Sequence, residues 1–220
     1  MTMRIHKAIF WPAARYVVVS HATVVASLLW IGIIVFMTLK APKVFDGESA
    51  GVLWIMHSNF FLVYTVGLLL QSYEFLGADY LGYFLPKPVS RPQYLVSIVA
   101  ANLVSTAIVN LMSYVPLLPI APLTSGGFWK SIGTLYVTEM FVFAAMLTGS
   151  MLLTILFRSR IISQSVPIIL LSLWMGSGLL FKWLMVPALS PDLRLYAFLG
   201  GTAIAIFLLA EFAFSRKDIA

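Results

Sequence analysis

Eight acidic residues and three histidines are all that this 220-residue chain offers for proton or metal chemistry. The informative ones lie inside apolar stretches. Glu139 sits near the middle of a long hydrophobic run, in Tyr136-Val137-Thr138-Glu139-Met140. A lone carboxylate at that depth costs at least about 2.5–3.5 kcal/mol, so it must face a bundle interior, water or a partner. It could line a substrate path, carry a proton, or act as a protonated, hydrogen-bonded structural group. Glu211 lies five residues before Arg216 and close to Lys217, which predicts an interfacial ion pair. His21, His57, Asn59, Asn102 and Asn110 add polarity within apolar runs. Interhelical hydrogen bonds of about 0.6 kcal/mol each account for such residues without a catalytic role.

Intramembrane catalysis needs paired acids, a Glu–His pair, or a serine with a basic partner. Glu139 is the one deeply placed acid, and neither a His-Glu-x-x-His motif nor closely spaced aspartates occur. Enzymatic function is therefore not expected. Two histidines form no metal-ligand motif, and the ten methionines follow no spacing, so no metal site is expected. With no cysteine there is neither thiol chemistry nor a disulfide.

These residues are set in an unusually apolar chain. Hydrophobic residues make up 61% and charged residues 10%, with a mean hydropathy of +0.98. Soluble domains carry roughly 25% charged residues. The composition predicts an all-α, polytopic membrane protein; a barrel would show shorter segments of alternating polarity. The net charge of +6 does not point to nucleic acid, because the basic residues cluster at the ends of apolar runs. No cleavable signal peptide is evident.

The hydrophobic runs predict six transmembrane helices at 16–39, 51–71, 94–118, 129–157, 161–185 and 193–214, all in one domain covering 1–220. Residues 2–15 precede them. Arg4, Lys7, Trp11 and Arg15 share one side of a helix and Ile5 and Ile9 another, which predicts an amphipathic interfacial helix that Pro12 ends or kinks. Small residues at Ala145/Gly149, Gly176-Ser177-Gly178 and Gly200-Gly201 would let helices approach closely, within one chain or across a dimer.

Six spans place both termini on one side. That side carries nine Lys and Arg residues (Arg4, Lys7, Arg15, Lys87, Arg91, Arg158, Arg160, Arg216, Lys217), and the other carries five (Lys40, Lys43, Lys130, Lys182, Arg194). The positive-inside rule makes the nine-residue side cytoplasmic. The chain is thus expected to be a multi-pass protein of a prokaryotic inner membrane with both termini in the cytoplasm.

The same rule places the polar interval 73–92 in the cytoplasm. Tyr73, Leu76, Tyr80, Tyr83 and Phe84 form one helical face, while Phe75, Leu81 and Leu85 leave a second apolar surface and Glu74 and Asp79 point elsewhere. Pro86 and Pro88 stop this helix. Ser90 is placed to cap the next one, with Pro92 in its first turn.

Glu74, Gly77 and the step Pro88-Val89-Ser90-Arg91, read with the six spans, resemble the membrane subunits of type-2 ABC transporters. The resemblance covers the chain in topology and about twenty residues in motif. It departs from the family where a lysine often begins span three: Ile98 stands near that place. The resemblance implies a coupling helix between helices 2 and 3, with Glu74, Phe75, Gly77, Asp79, Leu81, Leu85 and Arg91 contacting a cytoplasmic ATP-binding subunit. ATP and Mg would bind that partner, since no Walker A motif occurs in this chain. It further implies a second permease subunit, identical or different, and export of a hydrophobic or amphipathic substrate such as a peptide antibiotic or drug. In that setting Glu139→Ala is expected to impair transport more than assembly. The alternative is a membrane anchor or regulatory subunit of another complex.

Overall fold

A computed structural model of the chain describes residues 5–40, 57, 60–61, 63–69, 76, 89–117, 126–157, 161–162, 165, 169 and 193–216. The described residues are helical apart from caps and turns, with no strand among them. Five helices are delimited: α1 (Lys7–Val19), α2 (His21–Lys40), α3 (Arg91–Ser113), α4 (Gly126–Phe157) and α5 (Leu193–Arg216). Residues 63–69, together with 57, 60 and 61, belong to a further helical stretch. Among the described residues, four segments are long and apolar enough to cross a membrane: Lys7–Val35, Arg91–Ser113, Ile132–Phe157 and Tyr196–Arg216. Most of the expected spans 51–71 and 161–185, and nearly all of the 73–85 helix, lie outside the described residues.

α3 has the polarity pattern of a helix set in lipid. Its Ser97, Asn102, Ser105, Thr106, Asn110 and Ser113 are all buried, whereas Val104, Ile108, Leu111 and Met112 are exposed. A helix in water does the reverse. In hydrocarbon, exposed aliphatic side chains cost nothing, and polar groups gain by turning inward to partners.

The N-terminal region differs from expectation. The helix passes through Pro12 and breaks at Ser20, whose backbone is extended (φ −61°, ψ 148°). Proline removes one intrahelical hydrogen bond, yet here the neighbouring packing holds the helix through it: Ala13 and Ala14 next to it are buried. At Ser20 the sequence supplies caps. Ser20 Oγ accepts from the Thr23 N–H at 3.2 Å, and Thr23 Oγ1 donates to the Val17 carbonyl at 2.6 Å. One residue pair thus closes the end of α1 and the start of α2.

α1 packs along α3. The His6 N–H donates to Ser97 Oγ at 2.7 Å and Ser105 Oγ donates to the Ala14 carbonyl at 3.3 Å. The same eight-residue step separates both partners, so α1 runs alongside α3 in the same direction rather than across its end. Its buried face is Ile9, Ala13, Ala14 and Val17. Lys7, Trp11 and Arg15 stay on the exposed side, as their spacing requires.

α4 packs most extensively on α5, and α3 joins both to α1. A Cβ on Gly200 would stand 2.9 Å from the Phe141 ring, which stacks on Tyr196 with centroids 5.4 Å apart. Gly200 is therefore a close-contact position, and Gly200→Leu is expected to separate α4 from α5 and lower thermal stability in detergent; an unchanged melting temperature would contradict this. Nothing described lies within 4 Å of a Cβ at Gly149 or Gly201, so among the described residues those two glycines mediate no close approach.

Candidate functional site

The helices converge on a buried polar cluster. α3 ends at Ser113 because Pro116 follows, and the chain tightens into a 3₁₀ turn over Val115–Leu117. The Tyr114 N–H closes onto Leu111 and Met112. This ending sets Asn110, Ser113 and Tyr114 side by side, facing Glu139 of α4 and His57 of the 57–69 stretch.

Glu139 is 4% exposed and His57 fully buried. His57 Nδ1 lies 3.0 Å from Glu139 Oε1. The other carboxylate oxygen accepts from Asn110 Nδ2 at 3.0 Å and from the Tyr114 hydroxyl at 2.9 Å. Opposite, His57 Nε2 contacts Ser113 Oγ at 2.6 Å, and Ser113 Oγ donates to the Asn110 carbonyl at 2.6 Å. Trp30 of α2 donates its indole N–H to the Ser113 carbonyl at 2.8 Å. The Tyr114 ring stacks on His57 at 3.9 Å, and Trp30 stacks on Phe60 at 5.1 Å. Four segments far apart in sequence thus meet at one carboxylate and one imidazole.

Ser113 has one hydroxyl hydrogen, and both the Asn110 carbonyl and His57 Nε2 lie 2.6 Å from its oxygen. With the hydrogen on the Asn110 carbonyl, Nε2–H donates to Ser113; with it on Nε2, a neutral ring donates Nδ1–H to Glu139 Oε1, and both contacts of the imidazole are closed. Asn110 Oδ1 is buried without a partner among the described residues.

The remaining expected site residues are distributed as follows. Arg91 is not directed at solvent alone: its Nη1 approaches the Phe214 and Ser215 carbonyls at 3.5 Å, where α5 ends and its backbone acceptors are unsatisfied. Ser90 caps α3 as expected, in a reciprocal capping box with Gln93. Ser90→Ala is expected to cost about 1 kcal/mol and fray the first turn of α3, read as faster amide exchange at Gln93 and Tyr94; unaltered exchange would contradict it. Ile98 is fully buried in α3. Glu74, Phe75, Gly77, Asp79, Leu81 and Leu85 lie outside the described residues.

Two pairings differ from the sequence expectation. Arg216 sits over the Phe212 ring at 4.1 Å, and among the described residues no ion pair joins it to Glu211; Lys217, the other expected partner of Glu211, lies outside the described residues. Four residues separate 212 from 216, which places them on one helical face; five separate 211 from 216, which does not. Asn102 bonds back to the Ile98 carbonyl of its own helix at 2.9 Å instead of bridging helices. Glu139, in turn, is enclosed by His57, Asn110 and Tyr114.

Sequence reasoning found Glu139, His57 and Asn110 singly and missed that they meet. It also missed Ser113, Tyr114 and Trp30. The available signal was the polar stripe 97–102–105–106–110–113 in span three, whose steps follow a helical period and mark the face that other spans must cover. No protein-family model, curated protein or solved structure matches the chain.

Proposed function

We propose that the chain is the membrane-spanning permease subunit of an ATP-driven transporter of the type-2 ABC class. It has six spans with cytoplasmic termini and works as a pair with a second permease subunit. ATP is bound and hydrolysed by a separate cytoplasmic subunit that docks on the 73–85 helix. The exported substrate is hydrophobic or amphipathic.

The observation that supports this reading most is the construction of the step into α3. A docking helix can drive a membrane helix only through a stiff joint. Pro92 restricts the backbone just after Ser90, and the Ser90–Gln93 capping box fixes the first turn. Arg91 then ties that turn to the end of α5. A push on the 73–85 helix would move α3 and α5 together. The far end of α3 carries Asn110, Ser113 and Tyr114, so the same motion reaches the His57–Glu139 cluster.

The test is co-purification in mild detergent with candidate ATP-binding subunits. Wild-type chain is expected to retain an ATPase, and the double charge reversal Glu74→Lys/Asp79→Lys to release it while the chain itself stays folded. Retention of the ATPase by the reversed variant, or no ATPase with the wild type, would refute the reading.

A further inference from the structure

We propose that the exposed face of α1 carrying Lys7, Trp11 and Arg15 binds the headgroup of an anionic phospholipid, drawn down along this helix below the level that the rest of the bundle sets. The inference concerns the lipid around this chain and does not depend on an ATPase partner.

The level of the polar boundary differs between helices. At the start of α3, Arg91 reaches the Phe214 and Ser215 carbonyls, and the Tyr94 ring lies 6.3 Å from that of Phe214. On α5 the exposed residues change at this level from Ser215 and Arg216 to Phe212, Leu209 and Leu208. The boundary on α5 is therefore level with the first turn of α3. On α1 it lies much deeper. Lys7, Trp11 and Arg15 are exposed, and the aliphatic surface begins only with Val18 and Val19, continuing on α2 through Val24, Val25, Leu28 and Leu29. Ala14 is level with Ser105, fourteen residues along α3 from Arg91, which is about 21 Å at the helical rise. A hydrocarbon core is only about 30 Å thick.

An arginine facing lipid tails at that depth is strongly unfavourable unless an anion or water meets it. The Arg15 side chain leans toward the N-terminus of α1, and so toward the level of Arg91, but it is less than half as long as the gap. The chain supplies no counter-ion nearby in sequence: residues 1–45 contain neither Asp nor Glu. Among the described residues no ion pair or hydrogen bond engages the side chain of Lys7 or Arg15. Their face has the chemistry of a headgroup site. Two cations two turns apart flank an indole, which itself favours the headgroup level. Trp11 is 67% exposed and held edge-on against Phe10 at 5.3 Å. A phosphate against Arg15 accepts the paired N–H donors of the guanidinium, and the acyl chains of the same lipid then lie along Val18 and Val19. A zwitterionic lipid carries its own cation to that phosphate, so the two basic residues favour an anionic one.

The full chain in mild detergent, given equal amounts of phosphatidylglycerol and phosphatidylcholine, provides the test, with native mass spectrometry counting the lipids retained. Phosphatidylglycerol is expected to be preferred by about tenfold, and Arg15→Gln to lower that preference by about fivefold. Arg15→Lys keeps the charge and is expected to keep most of the preference. Arg216→Gln removes a cation from α5 and is expected to change nothing. No preference in the wild type, an undiminished preference in Arg15→Gln, or an equal loss in Arg216→Gln would overturn the proposal. Depth is read separately, because the chain contains no cysteine and accepts single spin labels. Val18 on α1 and Ile108 on α3 are both exposed, and the register of Ala14 with Ser105 puts them at nearly the same level. In nanodiscs containing phosphatidylglycerol, a water-soluble nickel complex is expected to collide severalfold more often with a label at V18C than with one at I108C. Equal collision rates would place both sites in hydrocarbon and overturn the proposal as well.

Discussion

His57→Ala is expected to be the most damaging single substitution in the described part of the chain, with a loss of about 3–5 kcal/mol in a detergent unfolding titration. The ring leaves behind a buried carboxylate with no proton donor on Oε1, and it removes the surface on which Tyr114 stacks at 3.9 Å. Glu139→Ala should come second. It strands three donors, from His57, Asn110 and Tyr114, and hydrogen bonds between membrane helices are each worth up to about 1.7 kcal/mol. Because the residues act as a unit, the double variant His57→Ala/Glu139→Ala should lose clearly less than the sum of the single losses. Strict additivity would show that the two side chains do not cooperate. The sequence alone led to the expectation that Glu139→Ala impairs transport more than assembly; the enclosure of the carboxylate adds an expected loss of stability. A carboxylate enclosed by three side chains is first of all a fastening between helices.

The second large effect is expected at Trp30. It is 2% exposed, stacks on Phe60, meets the His57 ring edge-on at 5.4 Å and donates to the Ser113 carbonyl. It is the side chain that joins α2 to the cluster. Trp30→Ala opens a cavity at that junction and is expected to cost about 3 kcal/mol. Trp30→Phe retains the stack on Phe60 and gives up the N–H bond, so about 1 kcal/mol is expected. The ratio between the two variants separates packing from hydrogen bonding. Equal losses would mean that the indole N–H carries the whole contact.

How far the sequence could be read depended on whether a feature was local. The start of α3 was legible because Ser90, Gln93 and Pro92 lie within four residues and act on one another directly. The exposed side of α1 was legible because Lys7, Trp11 and Arg15 repeat at the helical period. The break at Ser20 was missed although its parts are local. Pro12 is the stronger breaker in isolation, but the contacts of Ala13, Ala14 and Val17 outweigh it, and Ser20 with Thr23 supplies capping hydrogens where the helix does end. The cluster was illegible as a cluster. His57 and Glu139 are 82 residues apart, and nothing in either neighbourhood states that they touch. The polar stripe of α3 showed which face is covered, not by what. The Arg216–Phe212 contact shows the same limit on a smaller scale: opposite charges suggested one partner, and helical geometry selected another.

These results leave the chain as a set of helices fastened by one buried acid and one imidazole, with α3 running from that fastening to a stiffened corner at Ser90 and Arg91. Under the proposed function, a cytoplasmic ATPase pushes on this corner through the 73–85 helix. The most direct measurement is to place a photocrosslinking amino acid at Leu81 in cells and identify the adducts by mass spectrometry. One dominant adduct is expected, with a protein carrying the Gly-x-x-x-x-Gly-Lys-Ser/Thr phosphate loop, and its loss when Glu74 and Asp79 are reversed. Adducts with lipid alone, or with a protein lacking that loop, would contradict it.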